Sequence, residues 1–138
     1  MSKVVLALAL ALACIRLTAA ADQPTDENVL KARPHHIAVG TVAIGSTGVA
    51  EGTLENIGNS ALLISTVEVF GDSQGDIMYD VECFNSLLAA GDVCPFSIFL
   101  TPTLAGRIDL TYCLTGYDPN NPDVAERECG AITGRSVP

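Results

Sequence analysis

Cysteine is the residue type in this chain with the clearest chemistry, and its number and spacing predict disulfide bonds. The 138-residue sequence has five cysteines, of which Cys14 lies in an apolar N-terminal segment. An even number in the remaining chain implies disulfides in a small exported domain, and four cysteines allow three connectivities. Proximity along the sequence favours the pairs Cys83–Cys94 and Cys113–Cys129.

Zinc binding is the competing use of these four cysteines. Common zinc folds place their ligands in Cys-x-x-Cys pairs, whereas the spacings here are much wider. We therefore predict no metal site at the cysteines.

The sequence offers no arrangement typical of catalysis. His35 and His36 are the only histidines, and adjacent residues on a strand point to opposite faces, so the pair cannot readily chelate one ion. Ser73 lies in the one Gly-x-Ser-x-Gly sequence, 71–75, but a nucleophile elbow needs that sequence in a strand-to-helix turn, and the chain has no convincing helical period. Thiol catalysis would require an unpaired cysteine in an oxidising compartment. We expect neither enzymatic activity nor a cofactor.

Two acidic segments, 71–80 and 117–123, could contact cations or a partner. Calcium prefers clustered oxygen ligands, but neither segment has the EF-hand order, and Asp, Asn, Gly and Pro are common in turns. The second segment lies between Cys113 and Cys129, and a bridged loop of this kind is preorganised for recognition. The sequence therefore predicts a partner-contact surface there, formed by Asp118, Asn120, Asn121 and Asp123.

The N-terminal segment has the organisation of a secretory signal peptide. Lys3 precedes an apolar run over 4–13 and small residues that end at Ala21. The run is shorter than the roughly 20 residues that span a bilayer, so we predict a signal peptide over 1–21. In an alternative, Cys14 is lipidated and anchors the protein to a membrane. Residues 22–34 are polar and predict a flexible leader before a domain over 35–138.

The charge of the processed chain excludes one class of partner. Removing residues 1–21 leaves five basic against 16 acidic side chains, a net charge of −11. Such a surface repels phosphate backbones and anionic lipid head groups. We expect no nucleic-acid binding, and membrane association only if Cys14 is lipidated.

The rest of the chain has the rhythm of an all-β domain. Short apolar runs are separated by Gly, Asn and Pro every roughly 8–12 residues, as in a β-sandwich or barrel. Residues 49–56, 93–100 and 107–114 alternate apolar and polar side chains, as half-buried strands do. We predict seven or eight strands in two sheets packed face to face.

Local irregularities can also be predicted. Gly40 divides 36–44 into two short edge pieces, and a change of apolar phase near Ser65 and Thr66 predicts a bulge. Residues 87–91 could form one helical turn or a tight loop. The core is expected to contain Leu, Ile and Val with the phenylalanines, some only partly buried: Phe70, Phe84, Phe96 and Phe99.

Several motifs resemble those of one domain family. They are the Gly-rich strand pair over 37–45, the Leu-x-Asn-x-Gly turn at 54–58, and the Cys, Gly-x-x-Cys and Leu-x-Pro-x-x-x-Gly elements between 83 and 106. Together they resemble the Hydin-type (ASH) immunoglobulin-like domain, in the cysteine-paired form of bacterial exported proteins. The resemblance implies a seven-stranded immunoglobulin-like β-sandwich, a Cys83–Cys94 bridge, and interaction or scaffolding without catalysis. Gly52 departs from the family, which has a larger apolar residue there.

These observations predict a non-enzymatic exported module of the cell envelope, periplasmic or secreted, that binds a protein partner or acts as a scaffold. Two alternatives remain. A periplasmic chaperone or assembly factor would use an uncovered apolar edge strand, for which residues 41–44 are a candidate. A small secreted inhibitor or effector would present the disulfide-bridged loop to its target.

Overall fold

A computed structural model describes residues 29–138 of the chain. The predicted signal peptide (1–21), the alternative lipidation site Cys14 and residues 22–28 lie outside the described part. Within residues 29–138 there is no helix that could cross a lipid bilayer.

The described residues form nine strands in two sheets. The four-stranded sheet has the order β1-β3-β7-β5 and the five-stranded sheet the order β2-β9-β8-β4-β6. The prediction of an all-β, two-layered immunoglobulin-like sandwich is confirmed. The strands are β1 (Leu30–Arg33), β2 (His36–Ala43), β3 (Gly48–Asn56), β4 (Leu62–Asp72), β5 (Gly75–Val81), β6 (Leu87–Leu88), β7 (Val93–Pro102), β8 (Gly106–Asp118) and β9 (Asn121–Val137).

The structure contains two strands that were not predicted from the sequence. Residues 22–34 were predicted to be a leader, but Leu30–Arg33 form β1, which pairs with β3, and Leu30 is fully buried. The polar, proline-bounded composition concealed a four-residue alternation in which Leu30 and Ala32 face the core. Instead of a helical turn, Leu87–Leu88 form β6, which pairs with β4.

The core lies between the sheets and is built from the inward positions of every long strand. Alternation in β7 buries Cys94, Phe96, Ile98 and Leu100, as predicted. Phe96 also meets Tyr112 of the opposite sheet, with ring centroids 5.2 Å apart. A Cβ at Gly52 would lie 2.6 Å from Cζ of Phe96, which explains why a larger side chain does not fit there.

The phenylalanines contribute less to the core than expected. Phe96 is buried, Phe99 is half-buried, and Phe70 and Phe84 are exposed. Phe70 points outward because its neighbour Val69 packs against the core, and successive strand residues face opposite sides. Phe84 follows β5 and lies in a turn.

The predicted bulge is present, whereas Gly40 does not divide 36–44 into two pieces, because β2 is one strand over His36–Ala43. The register between β4 and β8 shifts between Ile64 and Thr66, which returns Val67 and Val69 to the core side. In β2, the parallel pairing with β9 shifts between Ala38 and Gly40, and Gly40 has a φ of 72°. Glycine adopts this left-handed conformation without the steric cost of a side chain.

The two favoured disulfide pairings are confirmed. Cys83, just after β5, is bonded to Cys94 of β7, and their Cα atoms are 5.9 Å apart. Cys113 and Cys129 are directly opposite each other on β8 and β9, with Cα atoms 4.1 Å apart. Each bridge therefore joins neighbouring strands of one sheet. Such bonds form and persist in oxidising environments, which supports an exported location.

A buried amide organises one end of the sandwich. Asn56 is fully buried, and its Nδ2 donates to the carbonyls of Ser60 (2.8 Å) and Leu88 (2.9 Å). Its Oδ1 accepts a bond from the Gly58 N–H at 3.0 Å. The Leu-x-Asn-x-Gly motif thus holds the β3–β4 turn and β6 in place with one side chain.

Two polar side chains of the five-stranded sheet, Tyr112 and Glu128, form hydrogen bonds to the segment around β1. The Tyr112 hydroxyl donates to the Pro34 carbonyl at 3.2 Å, and the Ala32 N–H of β1 donates to Oε2 of Glu128 on β9 at 2.8 Å. Burial raises the pKa of Tyr112 to about 12, and the Glu128 carboxylate adds to this increase. Both bonds anchor the N-terminal end of the domain to the five-stranded sheet.

Candidate protein-binding surfaces

The outer edge of β5 is open to a further strand. β5 ends the four-stranded sheet and pairs only with β7. The Glu82 N–H donates to the Pro95 carbonyl at 3.2 Å, and hydrogen-bonded pairs alternate with non-bonded pairs along an antiparallel ladder. Met78 and Asp80 therefore bond to β7, whereas the N–H and C=O groups of Ile77 and Tyr79 face the open edge.

The side chains of β5 are unusually apolar for an exposed edge. Met78 is 70% exposed and Tyr79 is 46% exposed. Natural proteins usually protect such edges with charged side chains, especially lysine, with proline or with a bulge. β5 has the charges of Asp76 and Asp80 at its two ends but contains neither proline nor lysine, and its pairing with β7 runs without a register shift. The backbone groups and the apolar side chains are thus available together.

β2, the edge on which the chaperone alternative was based, also lacks proline and lysine, but it is less regular and less apolar than β5. It does lie at the edge of the five-stranded sheet, but the register shift at Gly40 interrupts it. Val42 is buried, and the exposed residues Thr41 and Ala43 are small, but Ile44, just after β2, is 40% exposed. Of these two edges, β5 is therefore the uninterrupted and more apolar one.

The outer face of the four-stranded sheet adds an apolar row beside this edge. Val49 of β3 is opposite Phe99 of β7, and Phe99 is opposite Met78 of β5. A groove of about 450 Å³ lies over this face, lined by Thr47, Asp76, Met78, Phe99 and Thr101. Met78 therefore belongs both to the open edge and to the end of the row.

The charge around the row is negative. Asp76 and Asp80 flank Met78 on the same face of β5, and Glu51 lies in the row of Asp80 across Ser97. Strands β3, β5 and β7 contain no lysine or arginine. The basic residues of this sheet are Lys31 and Arg33 on β1, at the opposite edge, and Arg33 Nε is 3.2 Å from Oε1 of Glu55.

The sequence-predicted contact residues lie at the tip of a long hairpin. Asp118 ends β8 and Asn121 begins β9, so that Pro119 and Asn120 form a two-residue turn. The Asn120 N–H donates to Oδ1 of Asp118 at 2.9 Å. Instead of a wide loop closed by the Cys113–Cys129 bridge, the segment is a tight turn, because pairing continues almost to its end.

A recess of about 180 Å³ brings two of these four residues together. Asp118 and Asn121 line it, whereas Asn120 and Asp123 do not. The β3–β4 turn, which Asn56 holds in place, forms the opposite wall of the recess. The other residues that line the recess are both polar and apolar: Val29, Gly58, Asn59, Ser60, Leu62, Val124 and Glu126.

Metal-ligand geometry is absent from the described part of the chain. Residues 29–138 contain no group of three or more His, Cys, Asp or Glu side chains that could hold an ion. In the first acidic segment, Asp72 Oδ1 accepts a turn bond from the Gln74 N–H at 3.2 Å. His36 Nε2 lies 2.7 Å from Oγ1 of Thr133, and both histidines are exposed.

The β5 edge was not identified from the sequence, although a strand over 77–83 was predicted. The available signal was an apolar triplet, 77–79, between Asp76 and Asp80 and without proline or lysine. That signal acquires meaning only when β5 is known to be the last strand of its sheet.

Comparison with solved structures finds the same fold in proteins of low sequence identity. The ASH/PapD-like domain 7 of human CEP192 matches with a TM-score of 0.60 at 20% identity, over 80% of this chain and 86% of that one. The VesB protease of Vibrio cholerae matches with a TM-score of 0.59 at 15% identity, over 78% of this chain and 32% of that one. The E. coli chaperone DraB matches with a TM-score of 0.57 at 15% identity, over 79% of this chain and 55% of that one.

No family model matches the sequence, and no curated protein matches it. The chain spans about a third of the protease and about half of the chaperone. Because a chaperone and a protease share this fold, the fold alone does not decide the activity. The chain has the PapD-like, immunoglobulin-like fold of ASH domains, as the resemblance in its sequence implied.

Proposed function

We propose that this protein is an exported, non-enzymatic binding module of the cell envelope, and that it adds an extended segment of a protein partner to the edge of β5. The observation that supports this most directly is the open edge at Ile77–Tyr79, where unpaired backbone groups lie beside exposed apolar side chains. Strand addition of this kind obtains affinity from main-chain hydrogen bonds and specificity from alternate side chains.

Rigidity of the edge favours the same conclusion. β5 is paired to β7 over its whole length, and the Cys83–Cys94 bridge fastens its end to the same neighbour. A preformed edge loses little conformational entropy on binding, so more of the interaction free energy appears as affinity. The DraB chaperone has the same fold, which is compatible with an assembly role as one form of this proposal.

The compartment is part of the proposal. The two disulfides and the N-terminal sequence support a periplasmic or secreted protein, with lipidation at Cys14 as the alternative. Mass spectrometry of the mature N-terminus separates the two: a chain that begins at Asp22 supports ordinary cleavage, and a lipid-modified Cys14 supports a membrane anchor.

Photo-crosslinking in the source cells tests the edge. A photoreactive residue at position 78 is expected to form an adduct with one specific protein, and the same residue at position 87 is not. Leu87 is a suitable control because it is 60% exposed and lies on β6, in the other sheet.

Substitutions at Tyr79 separate strand addition from simple apolar contact. In the crosslinkable protein, Tyr79→Ala removes the side chain, and Tyr79→Pro additionally removes the outward N–H without breaking the ladder to β7. We expect a weaker adduct with Tyr79→Ala and none with Tyr79→Pro, while circular dichroism and melting temperature stay similar in both. Equal adducts in the two variants would rule out strand addition at this edge.

The hairpin tip is a second proposed contact surface. The recess lined by Asp118 and Asn121 favours it, because a small concave site with mixed lining can receive one side chain of a partner. This surface suits the inhibitor or effector alternative. A crosslinker at position 121 that forms the adduct, with none from position 78, would favour the hairpin tip over the β5 edge.

A further inference from the structure

We infer that the segment bound at β5 has a specific side-chain pattern: two basic residues that flank three apolar ones, so that its outer-face positions read basic, apolar, basic. This inference rests on the proposed function, because it assumes strand addition at β5. It goes further by specifying the chemistry of the partner.

The pattern follows from the register of an added strand. Side chains directly opposite each other on neighbouring strands have Cβ atoms about 4.5–5.5 Å apart. On β5, Asp76, Met78 and Asp80 share the outer face. The partner residue opposite Met78 would extend the row of Val49, Phe99 and Met78, so an apolar side chain is favoured there. The two residues beside it on the same face would lie opposite Asp76 and Asp80.

Charge decides what those two residues are. Since β3, β5 and β7 contain no lysine or arginine, the carboxylates of Asp76 and Asp80 have no cation on their own or neighbouring strands. Opposite charges across a strand pair contribute about 0.2–1 kcal/mol each, and like charges are destabilising. Lysine or arginine is therefore favoured at both positions, and acidic residues are disfavoured.

The inner-face positions of the partner are apolar. Between the outward residues, the added strand places side chains next to Ile77 and Tyr79, at the margin of the core. Ile77 already packs against the core, and Tyr79 is only half covered. Apolar side chains at these positions would cover both.

A second copy of this chain does not fit the edge. Antiparallel pairing of two β5 strands about Met78 would place Asp76 of each opposite Asp80 of the other, and these like charges repel. Both chains also have a strongly negative net charge. A basic-apolar segment of another protein is the occupant that the charge distribution favours.

Two synthetic peptides test the inference by fluorescence anisotropy with the oxidised domain. One has the sequence Thr-Lys-Val-Leu-Val-Lys-Thr, and in the other both lysines are replaced by glutamate. We expect the lysine peptide to bind about 10-fold more tightly at low salt, since two favourable charge pairs sum to about 1.4 kcal/mol. The difference should shrink as salt is added.

Matched charge variants locate the effect. Asp76→Asn with Asp80→Asn is expected to bring the two peptides to within about 2-fold of each other, which is well under 1 kcal/mol. Asp92→Asn with Asp109→Asn changes the net charge equally at exposed positions outside both proposed contact surfaces and should leave the preference unchanged. If this control pair also removes the preference, net charge rather than the β5 edge is responsible and the inference is wrong.

The outcomes distinguish this inference from the proposed function. If both peptides bind equally and Tyr79→Pro abolishes binding of both, the edge proposal stands and the charge pattern is wrong. If the lysine peptide is preferred but binds Tyr79→Pro and Tyr79→Ala equally, strand addition at β5 is wrong. Absence of binding at about 1 mM peptide, weaker than about −4 kcal/mol, overturns the inference.

Discussion

Replacement of Asn56 tests the interpretation that one buried amide holds the end of the sandwich. Asn56→Ala removes three hydrogen bonds: two donated to the Ser60 and Leu88 carbonyls and one accepted from the Gly58 N–H. The bond to Leu88 is buried, so its loss leaves the Leu88 carbonyl with neither this donor nor water to replace it, at a cost of about 1–3 kcal/mol. The other two are partly buried and contribute about 0.5–1 kcal/mol each.

The expected decrease in the free energy of unfolding is therefore about 2–5 kcal/mol. This is a large share of the roughly 5–15 kcal/mol typical of a small domain. Urea denaturation of the oxidised protein measures it, with Asn59→Ala as the matched control in the same turn. Asn59 is exposed, and its substitution should change stability by no more than about 0.5 kcal/mol.

An isosteric variant separates hydrogen bonding from packing. Asn56→Asp keeps the shape but replaces the donor of two bonds with an acceptor, and at neutral pH it buries a charge. We expect it to destabilise more than Asn56→Ala at pH 7, with the difference decreasing at low pH as the carboxyl is protonated. A loss below about 1 kcal/mol for Asn56→Ala, with an unchanged denaturant slope, would refute the assigned role.

Two further predictions concern alkaline pH and the disulfides. The folded-state pKa of Tyr112 is raised from 10.0 to about 12, so its contribution to stability is complete below pH 10 and is lost as pH rises towards 12. The free energy of unfolding should fall by about 2–3 kcal/mol over this pH range, which is measured as the urea midpoint against pH. The decline should be absent in Tyr112→Phe, and an equal decline in that variant would contradict the prediction. The bridges close 11- and 16-residue separations, so Cys83→Ala with Cys94→Ala and Cys113→Ala with Cys129→Ala should each cost about 3 kcal/mol. Dithiothreitol that left the melting temperature unchanged would contradict both disulfide predictions.

The irregular features predicted correctly share a local origin. The bulge at Ser65 was visible because Leu62 and Ile64 share one apolar phase and Val67 and Val69 share the other. A strand has a period of two residues, so a change of phase on one sheet face requires an extra residue. Nothing distant in the chain needs to be known for this inference.

The features predicted wrongly depend on distant residues. β1 was missed because four residues with only two inward positions are too weak a pattern, and their burial depends on β3 and β9, which come later in the chain. Composition does not contain this information. Phe70 is an exception: it was expected in the core on its residue type, although local alternation with Val67 and Val69 already directed it outward.

In the candidate binding surfaces too, local features were predicted from the sequence and features that depend on distant residues were not. The acidic hairpin was noticed because Asp, Asn and Pro cluster in the sequence, but whether it is a wide loop or a tight turn depends on how far β8 and β9 remain paired. The β5 edge was missed because any predicted strand can be central or terminal until the order of the sheet is known.

The sequence by itself determined the two-layered β architecture, the two cysteine pairs, the bulge and the net negative charge, because each depends on residue type and short-range alternation. Only the tertiary structure decided that β5 ends its sheet, that Val49, Phe99 and Met78 form one row, and that Asp76 and Asp80 lie beside it without a cation. Strand order arises from contacts between segments far apart in the chain, and such contacts leave no periodic trace in the sequence.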